Sequence, residues 1–240
     1  MRVDILGVGF DNITMDQAVA EGVRLMHTEG THYAATPNPE IVEMCRKDPE
    51  AMAAVNGADL VIADGVGVIY GARILGTPLK ERLPGIEFAQ RLMERMADSG
   101  RRLYLLGAKP GVAEEAARRL AEQYPGLRIA GTHDGYFQED GPVTEAIRAS
   151  GAEVVFVCLG APKQEKWMAK NGAATGAHLL IGLGGCLDVF SGQVQRAPEI
   201  YRKLGLEWFH RLIKHPGRAG RMLKLPLFLV HVLEEKRKRT

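Results

Sequence analysis

Cysteine is scarce in this chain. Its 240 residues include three cysteines, Cys45, Cys158 and Cys186, and no two of them form a C-x-x-C pair. An odd number of widely spaced cysteines predicts neither a disulfide framework nor a cysteine-based zinc site. The cysteine content therefore fits a protein of the reducing cytoplasm.

Motifs of several common enzyme classes are also missing. The sequence has no G-x-x-x-x-G-K-[ST] loop, no H-E-x-x-H spacing, and no G-x-S-x-G around any of its three serines. Gly7 and Gly9 start like a dinucleotide fingerprint, but Asn12 occupies the position of the third glycine. These absences disfavour a serine hydrolase and leave only a weak signal for dinucleotide binding.

No D-x-D pair occurs anywhere in the chain. A dedicated carboxylate pair for Mg²⁺ or Mn²⁺ on a diphosphate is therefore not visible, and we expect no metal site and no cofactor. If the substrate carries a diphosphate, Lys, Arg and helix N-termini must neutralise its charge.

Long apolar runs are lacking too. None approaches the roughly 18 residues that a membrane-spanning helix needs, and the first ten residues lack the basic start and apolar core of a signal peptide. We expect a protein without a membrane span whose chain begins with a strand.

Positive charge is concentrated at the C-terminal end. From Arg196 onward there are 12 Lys and Arg against 4 Asp and Glu, a net charge of +8. Residues 1–195 hold the remaining 19 basic and 25 acidic side chains, a net charge of −6. We therefore predict a catalytic body (residues 1–195) and a basic helical appendage (residues 196–240) that faces an anionic partner.

Apolar runs alternate with helical patterns along the body. Strands are predicted at residues 3–6, 32–35, 60–63, 103–106, 127–130, 154–158 and 179–183, while residues 138–153 are left unassigned. Helix starts are indicated by a capping box at Thr14 and by Asn38 before Pro39. This alternation predicts an α/β, Rossmann-like fold with a mostly parallel sheet flanked by helices.

The stretch A-D-L-V-I-A-D-G-V-G at residues 58–67 places a carboxylate, Asp64, where a buried strand stops. Gly65 and Gly67 would allow a tight turn and a close approach to a ligand. Ligands of open α/β sheets lie beyond the carboxyl ends of the strands, where a carboxylate can accept a proton. The alternative is that Asp64 is only a turn or cap residue.

Other strand ends and loops carry candidate binding residues. G-A-K-P-G (107–111) and G-A-P-K-Q (160–164) would point helix N-termini and Lys109 or Lys163 at an anion, unless they are only well-formed βα turns. The candidate substrate-binding residues of the body are Asn38, Arg82, Gly107, Tyr136, Gly160, Lys163, Gln164, Gly184 and Asp188.

The appendage interleaves apolar and basic side chains. Its apolar members are Ile200, Leu204, Trp208, Leu212, Met222, Leu223 and Phe228. This pattern suits the headgroup level of an anionic membrane, or an amphipathic helix pair packed on the body with its charges in water. Pro216 and Pro226 are expected to divide the segment into short helices.

Motifs along almost the whole chain resemble those of the bacterial WecG/TagA/CpsF glycosyltransferases. They are T-P-N-P-E (36–40), A-D-G-x-G (63–67), the G-A-K-P-G joint, L-G-x-P-K-Q-E (159–165) and G-x-x-x-R-A-P…G-L-E-W-x-x-R-L (192–212). The resemblance implies a Rossmann-like body with an appendage that closes the active site and meets the inner face of the membrane. It implies transfer of N-acetylmannosamine from UDP to undecaprenyl-diphosphate-linked N-acetylglucosamine in wall teichoic acid linkage-unit synthesis, without a metal.

The resemblance also implies roles for individual residues. Asp64 would be the general base, and Thr36 and Asn38 would contact the donor sugar or diphosphate. Gln164 would line the pocket. The appendage arginines Arg211, Arg218 and Arg221 would clamp the diphosphate. The catalytic candidates are thus Asp64, Thr36, Arg218 and Arg221, while Arg211 is a substrate-binding candidate.

Other interpretations stay open at this point. A relative could use another UDP-sugar, such as N-acetylmannosaminuronic acid or glucose, for a different polysaccharide. A nucleotide-dependent oxidoreductase and a non-catalytic membrane-docking module are the other classes. A homo-oligomer is left open, and no nucleic-acid partner is expected.

Overall fold

Six parallel strands form the centre of the protein, seen in a computed structural model that describes residues 1–203 and 224–239. Their order across the sheet is β4-β3-β8-β7-β5-β6. The strands are β3 (His32–Ala35), β4 (Leu60–Val61), β5 (Arg102–Gly107), β6 (Arg128–His133), β7 (Val154–Cys158) and β8 (Leu179–Gly182). The predicted α/β fold with a mostly parallel sheet is confirmed, and every pairing in this sheet is parallel.

Helices lie on both faces of this sheet. They are α1 (Met15–His27), α2 (Pro39–Cys45), α3 (Pro49–Asn56), α4 (Val66–Ile74), α5 (Gly85–Ser99), α6 (Val112–Gln123), α7 (Asp140–Ser150), α8 (Lys163–Thr175), α9 (Cys186–Phe190), α10 (Glu199–Lys203) and α11 (Lys224–Arg239). Two of their starts match the sequence prediction. Thr14 forms the capping box with Gln17, and Asn38 caps α2 with Pro39 at the first helical position.

The hydrophobic core is divided by the sheet. Helices α1, α5, α6 and α9 pack on one face, and α3, α7 and α8 pack on the other. Side chains that alternate along a strand point to opposite faces, so neighbouring residues such as Ala34 and Ala35 belong to different clusters. A further apolar cluster joins α2, α4 and α11 beside β4.

The first predicted strand does not join the main sheet. Instead β1 (Arg2–Ile5) pairs antiparallel with β2 (Val8–Asp11) through a turn at Leu6 and Gly7, both of which have positive φ. Such a two-residue turn is typical of a β-hairpin. Gly7 and Gly9 therefore lie in a hairpin and not at a strand-to-helix turn, which removes the structural context that a dinucleotide fingerprint requires.

This hairpin covers the outer edge of β4. The backbone N–H of Val61 donates to Asp11 Oδ2 at 2.9 Å. On the same side, Arg2 Nη1 donates to the carbonyl of Asn56 at 2.9 Å, and Arg2 Nη2 to that of Ala58 at 2.5 Å. Two side chains of the hairpin thus take the place of a neighbouring strand.

The C-terminal helix α11 packs on the body. Its Phe228 and Val232 are fully buried against the cluster of α2 and α4. An added Cβ on Gly71 of α4 would lie 2.9 Å from the Phe228 ring. Pro226 is the third residue of α11 as the structure describes it. The expectation that Pro216 and Pro226 divide the segment into short helices stays a prediction, because residues 204–223 lie outside the described residues.

Within residues 1–203 and 224–239, no helix combines the length and hydropathy that a membrane crossing requires. The division into a body and an appendage stays a prediction. Of the appendage, the structure describes residues 196–203 and 224–239, and these are helical from Glu199 to Lys203 and from Lys224 to Arg239.

Candidate active site

The carboxyl ends of β3 and β8 meet at Thr36. Its side chain is 6% exposed, and Oγ1 donates to the carbonyl of Gly182 at 2.7 Å. Two residues further on, the N–H of Gly184 donates to Gln164 Oε1 at 2.9 Å. The structure therefore brings together three candidates, Thr36, Gln164 and Gly184, that lie far apart in the sequence.

Asp64 follows β4 at the same edge. Its backbone N–H donates to the carbonyl of Pro37 at 3.2 Å, which ties it to the segment after β3. The loop that carries Arg82 returns here, because the N–H of Leu83 donates to the carbonyl of Ala63 at 2.8 Å. Asp64, Arg82 and Thr36 thus lie on neighbouring backbone segments, and Asp64 is half-buried.

The two glycines after Asp64 are required for different structural reasons. Gly65 has a φ of +100° and begins α4 without a side-chain cap. A Cβ on Gly67 would lie 2.5 Å from Leu225 of α11 and 2.6 Å from Pro39. The sequence interpretation assigned Gly67 to a ligand approach, whereas the structure shows that it makes room for α11 and α2.

Asn38 has a structural role of its own. Its Oδ1 accepts from the N–H of Ile41 at 3.0 Å, so the side chain caps α2 beside Thr36 and Asp64. A substrate contact by Asn38 would have to come from its amide nitrogen or from the second lone pair of the oxygen.

The joints after β5 and β7 lie side by side. Gly107 has a φ of +131°, and an added Cβ would lie 2.3 Å from the carbonyl oxygen of Cys158. Only glycine fits there, because the backbone of Cys158 leaves no space for a side chain. This requirement is independent of any ligand. Gly160 and Gly184, in contrast, have positive φ and face open space, so nothing in the described chain requires a close approach at these two positions.

Tyr136, Lys163 and Asp188 lie on the segments that follow β6, β7 and β8, respectively. Lys163 Nζ donates to the carbonyl of Gly135 at 3.1 Å and lies 4.6 Å from the centre of the Phe137 ring. Tyr136 is 67% exposed at the tip of the loop after β6. Asp188 lies in the first turn of α9, and its backbone carbonyl accepts from the N–H of Val194.

Glu165 belongs to the same network and was not predicted as a site residue. It is 1% exposed, and its Oε1 accepts from Gln164 Nε2 at 2.9 Å. Burial raises the pKa of its carboxyl group, while the hydrogen bond from Gln164 opposes the rise. The burial of Gln164, Glu165, Trp167 and Met168 follows a helical spacing that could have marked it as inward-facing.

The predicted diphosphate clamp cannot be placed. Arg211, Arg218 and Arg221 lie outside the described residues. Among the residues that are described, no group of three or more His, Cys, Asp or Glu side chains is arranged to hold a metal ion.

Comparison with known proteins gives a consistent family. A sequence model described as the glycosyl transferase WecG/TagA/CpsF family matches residues 3–240. The N-acetylglucosaminyldiphosphoundecaprenol N-acetyl-beta-D-mannosaminyltransferase of Staphylococcus aureus strain MW2 is 36% identical over 240 residues, covering 99% of this chain and 94% of that protein. Proteins of the same name from strains NCTC 8325 / PS 47 and MRSA252 have the same identity and coverage.

Proposed function

This chain belongs to the glycosyl transferase WecG/TagA/CpsF family, and from that membership we propose that it transfers N-acetylmannosamine from UDP to undecaprenyl-diphosphate-linked N-acetylglucosamine. The product would be the β-1,4-linked disaccharide of a wall teichoic acid linkage unit. The observation that carries this proposal is the 36% identity to the staphylococcal enzymes over 99% of the chain.

Asp64 is the proposed general base. An inverting transfer needs a group that removes the proton of the acceptor hydroxyl as that oxygen attacks the sugar. Asp64 lies at a strand end beside Thr36, where ligands of open α/β sheets bind. Thr36 and Gln164 form the buried floor of this edge, so Asp64 is the half-buried carboxylate next to it.

The departing diphosphate would be stabilised by positive groups of the chain. Helices α6 and α8 have Gly111 and Pro162 as their N-cap residues, and neither has a side-chain cap. Their first-turn N–H groups suit an anion. Lys109 and Lys163 lie at these two joints and are exposed. Arg211, Arg218 and Arg221 of the appendage are the proposed clamp.

Peripheral attachment to the inner face of the membrane is proposed for α11. Leu227, Val230 and Leu233 are 38%, 50% and 49% exposed and follow one another at helical spacing. They lie on the side away from the buried Phe228. The last turn adds Lys236, Arg237, Lys238 and Arg239. Apolar and basic groups on one exposed helix favour an anionic membrane surface, where the lipid-linked acceptor would be.

The test is release of UDP from a panel of UDP-sugars by the purified full chain, with and without a lipid-linked N-acetylglucosamine acceptor. We expect UDP-N-acetylmannosamine to be consumed only when the acceptor is present, with one disaccharide formed per UDP. Preference for UDP-glucose or UDP-N-acetylmannosaminuronic acid would contradict the proposed donor but would leave the family assignment unchanged.

Turnover is expected to withstand metal removal. With no D-x-D pair in the sequence, we propose that basic side chains and helix N-termini neutralise the diphosphate. Excess EDTA should therefore leave the initial rate within about twofold of the untreated enzyme, because no Lewis acid is lost. Loss of activity that returns on adding Mg²⁺ or Mn²⁺ would show that the charge is neutralised by metal.

Removing the apolar side chains that α11 exposes should weaken membrane binding. Changing Val230 and Leu233 to serine is expected to lower partitioning to vesicles with anionic lipid by roughly 30- to 160-fold, since membrane burial of each half-exposed aliphatic side chain contributes about 1–1.5 kcal/mol. Vesicle sedimentation measures the effect. Activity on a soluble acceptor analogue should be retained, and unchanged sedimentation would place the membrane contact elsewhere.

A further inference from the structure

Glu165 is a buried carboxyl group directly behind the floor of the candidate site. One of its oxygens, Oε1, accepts from Gln164 Nε2 at 2.9 Å. The other, Oε2, is buried and has no hydrogen-bond partner among the described residues. A buried charged or polar group is costly unless it has a partner, so a carboxyl group at this position calls for a specific reason.

That reason lies in the two ends of the Gln164 amide. Its oxygen and its NH₂ group have nearly the same shape, so packing alone does not select between the two orientations. Glu165 Oε1 can accept a hydrogen bond from the amide nitrogen. On the other side, the N–H of Gly184 donates to the amide oxygen at 2.9 Å. Together the two partners permit only one orientation.

The orientation of Gln164 determines the end of β8. Gly184 is held by Gln164, and the carbonyl of Gly182 accepts from Thr36 Oγ1 at 2.7 Å. Contact here is tight, because a Cβ on Gly182 would lie 3.0 Å from Gln164 Nε2. A rotated amide would place NH₂ against the N–H of Gly184, and this strand end would have to move.

We propose that Glu165 is a positioning residue for the transfer reaction, which acts by fixing the amide of Gln164 and, through it, the Gly184 turn beside Thr36. The proposal rests on the proposed function for its effect on turnover. Its effect on the hydrogen bonds at the end of β8 is independent of the substrate.

Two substitutions distinguish the role of the hydrogen-bond acceptor oxygen of Glu165 from the role of its negative charge. Glu165→Gln keeps the shape and an oxygen that can accept from Gln164 Nε2. Glu165→Ala removes the acceptor. Glu153→Ala is the matched control, since Glu153 lies just before β7 at the opposite edge of the sheet, where it pairs with Arg101 at 2.6 Å.

The experiment measures hydrogen exchange of the Gly184 amide and steady-state kinetics on the same full-length variants. In Glu165→Ala we expect Gly184 to exchange roughly tenfold faster, the size of one lost hydrogen bond. We also expect kcat/KM to fall on the order of 10- to 100-fold, mostly in kcat, as for a small displacement of reacting groups. Glu165→Gln should stay within about threefold of wild type in both measurements, and Glu153→Ala should lose stability only.

If the Gly184 amide of Glu165→Ala exchanged at the wild-type rate, the proposed positioning role of Glu165 would be refuted at any level of activity. Faster exchange with full activity would also overturn it, because the orientation of Gln164 would then not matter for turnover. A loss in Glu165→Gln as large as in Glu165→Ala would refute the acceptor argument. The kinetic arm uses whichever UDP-sugar the wild-type chain consumes, so an error in the proposed donor alone leaves the test intact.

Discussion

Changing Asp64 to asparagine is expected to lower kcat by about 10²- to 10⁴-fold, the usual cost of losing a general base. The amide has the same size and can still form hydrogen bonds, but it cannot take the proton of the acceptor hydroxyl. The backbone N–H of Asp64 still reaches the carbonyl of Pro37, so the strand end should keep its shape. KM for the donor should change little, because the base acts mainly in the transition state.

The matched control is Asp59→Asn. Asp59 lies just before β4, at the opposite end of the same strand, where its carboxylate accepts from the N–H of Tyr33 at 3.0 Å and contacts His32. Its loss should affect stability and leave kcat within about threefold of wild type. A folded Asp64→Asn protein with nearly full activity would remove Asp64 from the mechanism.

Changing Phe228 to alanine is expected to release α11 from the body. Phe228 is fully buried, and a large-to-small change of a buried phenylalanine costs about 3–5 kcal/mol in free energy of unfolding. The ion pairs of α11 include Lys224–Glu40 at 3.6 Å and Arg239–Asp4 at 2.9 Å. These two partly exposed pairs contribute about 0–1 kcal/mol each. His231 Nδ1 also contacts Oε1 of the buried Glu43 at 2.9 Å, so this contact and the apolar contacts of Phe228 are the stronger attachments of the helix.

Release of α11 should also disturb the candidate active site. The helix packs on α4, which begins two residues after Asp64, and on α2, which Asn38 caps. We expect faster hydrogen exchange across α11 and a fall in kcat/KM on the order of 10²-fold. Leu227→Ala, on the exposed side of the same helix, is the control and should change neither quantity by much. Wild-type protection of α11 in Phe228→Ala would show that other contacts hold it.

Periodicity predicted the fold well because it reflects burial on two faces of a sheet. The strands over 32–35, 154–158 and 179–183 agree closely with β3, β7 and β8. Helix α7 was not predicted, since residues 138–153 were left unassigned; Gly141 and Pro142 lie in its first turn, where proline is well tolerated. Strand β4 is shorter than predicted, since the chain leaves the sheet at Ile62 to reach Asp64.

The convergence of the site was predictable, but its internal contacts were not. Parallel strands end at one edge, which is sufficient to bring Thr36, Gln164 and Gly184 together. Sequence alone does not reveal that Gln164 is held by Glu165, or that Gly67 makes room for Leu225 of α11. Helical spacing can mark Glu165 as inward-facing, but it does not show which side chains meet, either within α8 or between α4 and α11.

The hairpin over β4 bears on how copies of this protein behave at high concentration. An open strand edge is a template for pairing with a second chain, and crowding raises the frequency of such encounters. Here Asp11 accepts a hydrogen bond from the N–H of Val61, and Arg2 donates to two nearby carbonyls. Self-association through sheet extension at β4 would first have to displace both side chains, so this end of the sheet is protected against intermolecular β-aggregation.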